Sequence, residues 1–333
     1  MHNIFKCLKC KKIFSLPSCA CGYTASCKNN IYQLTNDPYT VNDDSADVKY
    51  IGYEDIGEVY SGGAAFNAMT VDEKFIRTAK IIGNGILLDL ACGDGLHTVP
   101  LLKCGVRIIA MDISDKMLSL LYKRAEHANA DISNLIVCRA NALDIPLADG
   151  SVDSVIANSM LHLISKPEIV VNEVYRVLKK GGNYITFEDK PAASGINKNK
   201  ILSEEEQAEN KKRKEMSGFV HGRYFQILKD EYNILGTRYS WKFDREKVCD
   251  DLFDSKETIS IPINNKIQYS FKDSFLYRMG GKGFSDQSDV PLDIHKFVFN
   301  RVMVEFAEKY GDGAVNNIYT EFESDIEIIV YKK

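Results

Sequence analysis

Two stretches of the chain place chemically capable residues at spacings that chemistry uses. In ILLDLACGDG an apolar run ends at Asp89 and is followed by Ala91, Gly93 and Gly95. Glycines there let the backbone turn sharply and approach a bound molecule closely. A second apolar run, VRIIAMD, ends at Asp112, where a carboxylate can accept hydrogen bonds from both hydroxyls of a ribose. Two glycines alone also suit a strand–helix turn that binds nothing, so the acidic ends matter. Asp89 would repel a pyrophosphate, and Thr98 stands where a dinucleotide loop needs a third small residue. Both features disfavour a nicotinamide cofactor. They suit a nucleoside whose amino acid end carries an ammonium, which is S-adenosylmethionine.

The second stretch is the N-terminus. Five of the nine cysteines fall there: Cys7, Cys10, Cys19, Cys21 and Cys27. An odd total with one dense cluster argues against a disulfide framework and for a metal. Cys7-x2-Cys10 and Cys19-x-Cys21 followed by Gly22 read as two knuckles of a zinc ribbon, four thiolates satisfying tetrahedral Zn2+. The second knuckle is one residue short, which leaves Cys27 as an alternative fourth ligand. Some 34 residues hold too little apolar material for a core of their own, so a metal is the natural staple.

The elements that must position these residues follow from hydrophobic pattern. Short apolar runs (GILLDLA, VRIIAMD, NLIVCRA, VDSVIANS, NYITFED) alternate with amphipathic segments between Gly85 and Lys190. That alternation predicts an α/β, Rossmann-like, doubly wound and mostly parallel sheet. Around it the chain divides into a ribbon-like module at 1–34 and a linker with cap helices at 35–84, where Thr70 is the expected N-cap of VDEKFIRTAKII. The cofactor-binding core is expected at 85–190 and a helical cap insertion at 191–260. Residues 261–333 supply C-terminal strands and a helix completing the sheet. In the cap, Tyr224, Phe225 and Trp241 are expected to cover an acceptor, together with the segment from Tyr50 to Phe66.

From Gly85 to Glu188 the residues resemble class I methyltransferases, particularly the group that includes ubiquinone and menaquinone biosynthesis enzymes. LLDLACGDG is similar to their first motif and MDIS to their ribose-binding strand end. The stretch ANALDIPLADGSVDSVIANSMLHLISKPEIVVNEVYRVLKKGG is similar to the remaining motifs. The resemblance implies cofactor contacts at Asp89, Ala91, Gly93, Gly95, Asp112, Ile113, Met117, Asn141, Ala142 and Asn158. Ile113 and Met117 would pack on ribose and adenine, the Ala142 N–H would meet the adenine ring, and Asn158 would line the methionine end. Asn141 stands where the family usually has an aspartate bonding the adenine amino group; its carbonyl can still accept that bond. A ribbon ahead of such a domain also resembles the bacterial ribosomal RNA guanine-N1 methyltransferases, whose ribbon helps hold RNA. Lys6, Lys9, Lys11, Lys12 and Lys28 make the head basic, so RNA is the alternative acceptor to a small or medium-sized molecule.

Transfer from a sulfonium needs an aligned acceptor and exclusion of water, and a general base only if the acceptor must lose a proton. His162 in SMLHLI, Glu188 and Asp189 at the end of the fifth strand, and His221 in GFVHGRYF are the candidate bases. The net charge of −4 predicts no general attraction to polyanions. No apolar run reaches the roughly 18–20 residues of a membrane span, and the first residues lack a signal-like stretch, so a cytoplasmic protein is expected.

Overall fold

The computed structural model describes residues 3–39, 41, 47–49, 53–54, 72–190, 203–236, 243–262, 267–281, 284–287, 290–311, 313–314, 319–322 and 325–333. Five parallel strands carry the expected apolar runs: β5 (Ile86–Leu90), β6 (Arg107–Asp112), β7 (Leu135–Arg139), β8 (Val152–Ile156) and β9 (Leu178–Lys190). Helices α2 (Thr98–Lys103), α3 (Asp115–His127) and α4 (Pro167–Val177) follow β5, β6 and β8, β7 leads to β8 without a helix, and α1 (Glu73–Ile82) precedes β5. The sheet order reverses at β5, with β6 and β7 to one side and β8 and β9 to the other. Side chains of buried parallel strands alternate between two apolar faces. Leu88, Leu90, Ile109 and Met111 accordingly pack with the α4 valines Val170, Val171, Val174 and Val177 on one face. Leu87, Ile108 and Ala110 pack with Phe75, Leu101, Leu118 and Leu121 on the other.

Local signals set the helix ends. Ser114 caps α3 by accepting from Met117 N, and Pro167 opens α4, where its missing N–H costs nothing. Asp72 caps α1 by accepting from Phe75 N. The N-cap is therefore Asp72 rather than Thr70, which lies outside the described residues.

The sheet has nine strands because both flanks of the chain join it. β13 (Asp325–Lys332) runs antiparallel between β9 and β10 (Ser255–Pro262). At the opposite edge β4 (Ile31–Gln33) pairs parallel with β7 and carries β3 (Cys27–Lys28) outside it. Two short antiparallel pairs stand apart from this sheet, β1 (Phe5–Lys6) with β2 (Ile13–Phe14) and β11 (Ile267–Ser270) with β12 (Tyr319–Phe322). The cysteine head thus does not stand apart: Phe5, Cys7, Phe14, Cys19 and Leu34 belong to the same apolar cluster as Cys138, Ile145 and Leu147.

The expected cap divides differently. Helix α5 (Glu204–Tyr232) packs with a later helix, α7 (Leu292–Tyr310), and with Phe271 and Met279 in a second core of its own. Helix α6 (Arg245–Leu252) and β10 return to the main sheet, so the strands completing it begin at Ser255 rather than after residue 260. Among the described residues no helix is long and apolar enough to cross a membrane.

Candidate active site and cysteine cluster

Ligands of doubly wound sheets bind beyond the carboxyl ends of the strands, where the order reverses. A cavity opens there. Ala91, Gly93, Asp112, Ile113, Met117, Asn141, Ala142 and Asn158 line it, together with Leu96, His97, Tyr53 and the apolar Met160, Leu163 and Ile164. The loop after β5 reaches it through three consecutive odd positions with positive φ: Ala91 at 53°, Gly93 at 55° and Gly95 at 84°. At Gly95 a Cβ would come within 2.8 Å of Leu121 Cγ, so the glycine allows α3 to pack against the loop.

Asp112 accepts from the backbone N–H of Gly93 on one oxygen and of Ser114 on the other, each at 2.9 Å. Burial pushes its carboxyl up despite those donors. Asp89 and Gly95 do not line the cavity. Asp89 lies beneath the loop, 2% exposed, and accepts from the Thr98 hydroxyl at 2.5 Å. Burial raises it to about 7. Thr98, which reads from sequence as a missing small residue, is therefore the partner of Asp89.

Asn158 accepts from Phe187 N at 3.2 Å and donates to Ser159 Oγ at 3.2 Å. The ring of Phe187 stacks on His97, centroids 4.9 Å apart and planes at 11°. Burial and the nearby Lys74 charge bring His97 down to about 3, so its imidazole is neutral at any ordinary pH. His97 is the histidine of this cavity, and sequence reading passed over it; its position two residues past the last glycine was the available signal.

Three of the four expected bases lie elsewhere. His162 sits half-buried in a short 3-10 turn, Leu161–Leu163, outside the cavity lining. Glu188 turns to the Arg245 guanidinium of α6. His221 pairs with Asp286 at 2.9 Å in the helical core. Nor do the expected cap aromatics face the cavity. Tyr224 is fully buried, its hydroxyl 2.7 Å from His295 Nδ1, and Phe225 packs on Tyr224 and His221. Each is held by a partner in its own core. Trp241, the side chain of Asp189 and most of 50–66 fall outside the described residues, although Tyr53 does line the cavity.

Sequence reading also passed over Arg124 and Asp94. The Arg124 guanidinium, buried in α3, donates from Nε to the Asp94 carbonyl oxygen at 3.0 Å and from Nη2 to its carboxylate. Asp94 lies between the two loop glycines, so α3 holds the loop at a charged, water-excluded point.

Residues 88–186 match the methyltransferase domain family. The match starts within β5 and ends within β9, spanning the loop, both acidic strand ends and Asn158. An uncharacterized chloroplastic methyltransferase of Arabidopsis thaliana is 32% identical over 117 residues, 34% of this chain and 32% of that one. The demethylmenaquinone methyltransferase of Lactobacillus johnsonii is 31% identical over 113 residues, 33% of this chain and 46% of that one. The chain thus covers less than half the length of either relative. Among solved structures, a putative methyltransferase of Bacillus halodurans aligns with 78% of this chain and 97% of its own at 18% identity and a TM-score of 0.42. The head and the second core lie outside the matched residues.

In the head, the sulfur atoms of Cys7, Cys10, Cys19 and Cys21 lie within 4.8 Å of one another. Cys7 is 3.5 Å from Cys21, and Cys10 is 3.7 Å from Cys19. Zinc–sulfur bonds of about 2.3 Å in a tetrahedron put neighbouring sulfurs about 3.8 Å apart, so the donor set fits that ion. The shortened knuckle closes because Gly22, at φ 83°, donates to the Cys19 carbonyl. Cys27 is exposed on β3 and outside the group, which leaves Cys21 as the fourth member.

Proposed function

We propose that this chain binds S-adenosylmethionine at the strand-order reversal and transfers its methyl group to a small or medium-sized organic acceptor. The observation that carries the reading is Asp112: a buried carboxylate, fixed by two backbone N–H groups, on the wall of a cavity that the glycine loop also lines. A carboxylate has about four acceptor sites, so those two bonds leave capacity for ribose hydroxyls. Ile113, Met117 and Ala142 offer apolar packing to a flat base, and Asn158 offers an amide to the amino acid end. Asp89 would act from below the loop, through Thr98 and the backbone, rather than by touching the ligand.

The bound cofactor would supply a methyl group already activated on a sulfonium. What the chain must add is alignment and dryness. The buried Met160, Leu163 and Ile164 would keep water from the site, with Leu96 and Tyr53 lining it beside them. The covering role expected of the cap goes to Tyr53 because no described residue between 203 and 260 lines the cavity. His97, neutral and stacked, can hydrogen-bond an acceptor but is too weak a base to deprotonate it near neutrality. An acceptor that reaches the site already deprotonated, or needs no deprotonation, suits this cavity.

The demethylmenaquinone methyltransferase among the relatives supports a small-molecule acceptor. The lysines of the head add little support for RNA, since Lys6 reaches Asp149 at 3.1 Å and Lys11 reaches Asp144 at 3.8 Å. For the head we propose a structural Zn2+ on Cys7, Cys10, Cys19 and Cys21. Calorimetry with S-adenosylmethionine and with NADH tests the cofactor: binding of the first alone is expected, and binding of NADH alone would overturn the reading. Mass spectrometry of a panel of hydroxylated aromatic and quinol acceptors, incubated with enzyme and cofactor, should then show a gain of one methyl in a small-molecule product.

A further inference from the structure

The segment that leaves the cysteine head lies against residues of the cavity wall, and one buried guanidinium holds it there. Arg139, 7% exposed at the end of β7, donates from Nε to the Ile113 carbonyl at 2.9 Å and from Nη1 to the Thr35 carbonyl at 3.1 Å. Its Nη2 donates to the Asp37 carbonyl, and the guanidinium lies 4.4 Å over the Tyr39 ring. Ile113 belongs to the cavity wall beside Asp112; Thr35 and Asp37 belong to the head's exit. Tyr39 and Gln33 add a second fastening, donating at 3.1 and 2.9 Å to the two oxygens of Asp115 at the start of α3.

This fastening sets Asp37 against Asn141. The Asp37 carboxylate accepts from Asn141 Nδ2 at 2.7 Å, while Asn141 Oδ1 accepts from Leu143 N at 3.0 Å. An ionised carboxylate only accepts and a backbone N–H only donates, so the two neighbours permit one orientation of the amide. We propose that Asp37 is a positioning residue of the cofactor site, holding the Asn141 amide so that its carbonyl oxygen, which keeps a second lone pair, meets the adenine amino group. Without Asp37 only the Leu143 N–H still orients the amide, so the half-turn that would present NH2 to NH2, a repulsive donor–donor contact, is opposed by one hydrogen bond instead of two. The head would then contribute to adenine recognition through a residue 104 positions away in sequence. The inference rests on the adenosyl reading of the cavity.

The test is calorimetry with S-adenosylhomocysteine, which has the same adenosyl group and undergoes no transfer. Asp37→Ala is expected to weaken binding by about tenfold, as for loss of a charge-assisted hydrogen bond. Asp37→Asn, which keeps an acceptor, should recover most of that. Asn141→Asp alone should also bind poorly, because it sets two carboxylates face to face. Combined with Asp37→Ala, however, it should return affinity close to wild type, since a carboxylate accepts at either end and needs no orienting. A merely structural role for Asp37 would lower the melting temperature without this reciprocal rescue. Wild-type affinity in folded Asp37→Ala, or a double variant no better than Asp37→Ala, would overturn the proposal. Failure of the wild type to bind S-adenosylhomocysteine would instead remove the adenosyl reading itself, and this inference with it.

Discussion

Asp89 and Asp112 end neighbouring strands, yet their surroundings assign them different work. Asp112 faces the cavity and holds two N–H donors, so Asp112→Ala should weaken S-adenosylmethionine binding by about 1.5–3 kcal/mol, the range for hydrogen bonds to a charged group. Calorimetry on folded variant with unchanged affinity would remove Asp112 from the site. Asp89 is sealed under the loop, and burial raises its carboxyl from 3.8 to about 7. The folded state therefore holds a proton on Asp89 that the unfolded chain has released, and the stability this contributes is complete below about pH 4 and lost as pH rises through 7. Asp89→Asn is neutral throughout. Its stability relative to wild type should climb between pH 4 and 7, by about 1.4 kcal/mol for each tenfold change in acidity that burial imposes. Urea unfolding at several pH values measures this, and parallel pH curves for the two proteins would refute it. Both aspartates were visible in sequence as strand ends. Their difference was not, because it depends on Thr98, whose hydroxyl turns back across the loop to meet Asp89.

At the scale of elements, periodicity located the sheet well and the site unevenly. The five parallel strands and their helices appear as local patterns of apolar residues, and the loop between β5 and α2 as a local pattern of glycines. Residues that act across elements have no such pattern: Arg124 meets Asp94 from 30 positions away, and His221, Glu188 and Tyr224 each found a partner in a different element. Histidines and carboxylates near strand ends look alike in sequence, and only packing separates the one that faces the cavity, His97, from those that do not. The loop itself offers a direct test. At Gly95 a side chain must adopt a φ of 84° and displace Leu121, and the contact is with a branched core residue rather than a flexible tip. Gly95→Ala should therefore destabilise the protein by roughly 1–3 kcal/mol through strain and overpacking. It should also weaken cofactor binding, because α3 and the loop can no longer approach. Thermal melts and calorimetry measure the two effects, and a variant as stable as wild type would show that the loop has another way to accommodate a Cβ.

Taken as a whole, the molecule joins its cysteine head to the parallel sheet by shared core and shared strand pairing. Phe5, Phe14 and Leu34 are buried with Ile145 and Leu147, and β4 extends the sheet beyond β7. A head of this size has few apolar residues of its own, so its order depends on that contact and on the four-cysteine group together. The protein as purified should carry about one zinc, and Cys10→Ser should lose it. The loss should spread along a defined path. β5, β6, β8 and β9 are buried between two apolar layers and have strand partners on both sides, so they should keep their hydrogen-exchange protection. β3 and β4 are short and lie at the edge, and Thr35, Asp37 and Tyr39, which follow β4, are fastened to β7 and α3 by hydrogen bonds and a ring contact with Arg139 and Asp115. Those residues should lose protection when the metal is gone, since local opening follows the least-supported unit. Because Asp37 orients Asn141, S-adenosylhomocysteine affinity should fall in the same variant, and by linkage the bound nucleoside should make the metal harder to remove with a chelator. Exchange that changes only between residues 5 and 27, with nucleoside affinity untouched, would show that the head's exit is held by the sheet alone. Absence of zinc from freshly purified wild type would remove the metal from the account altogether.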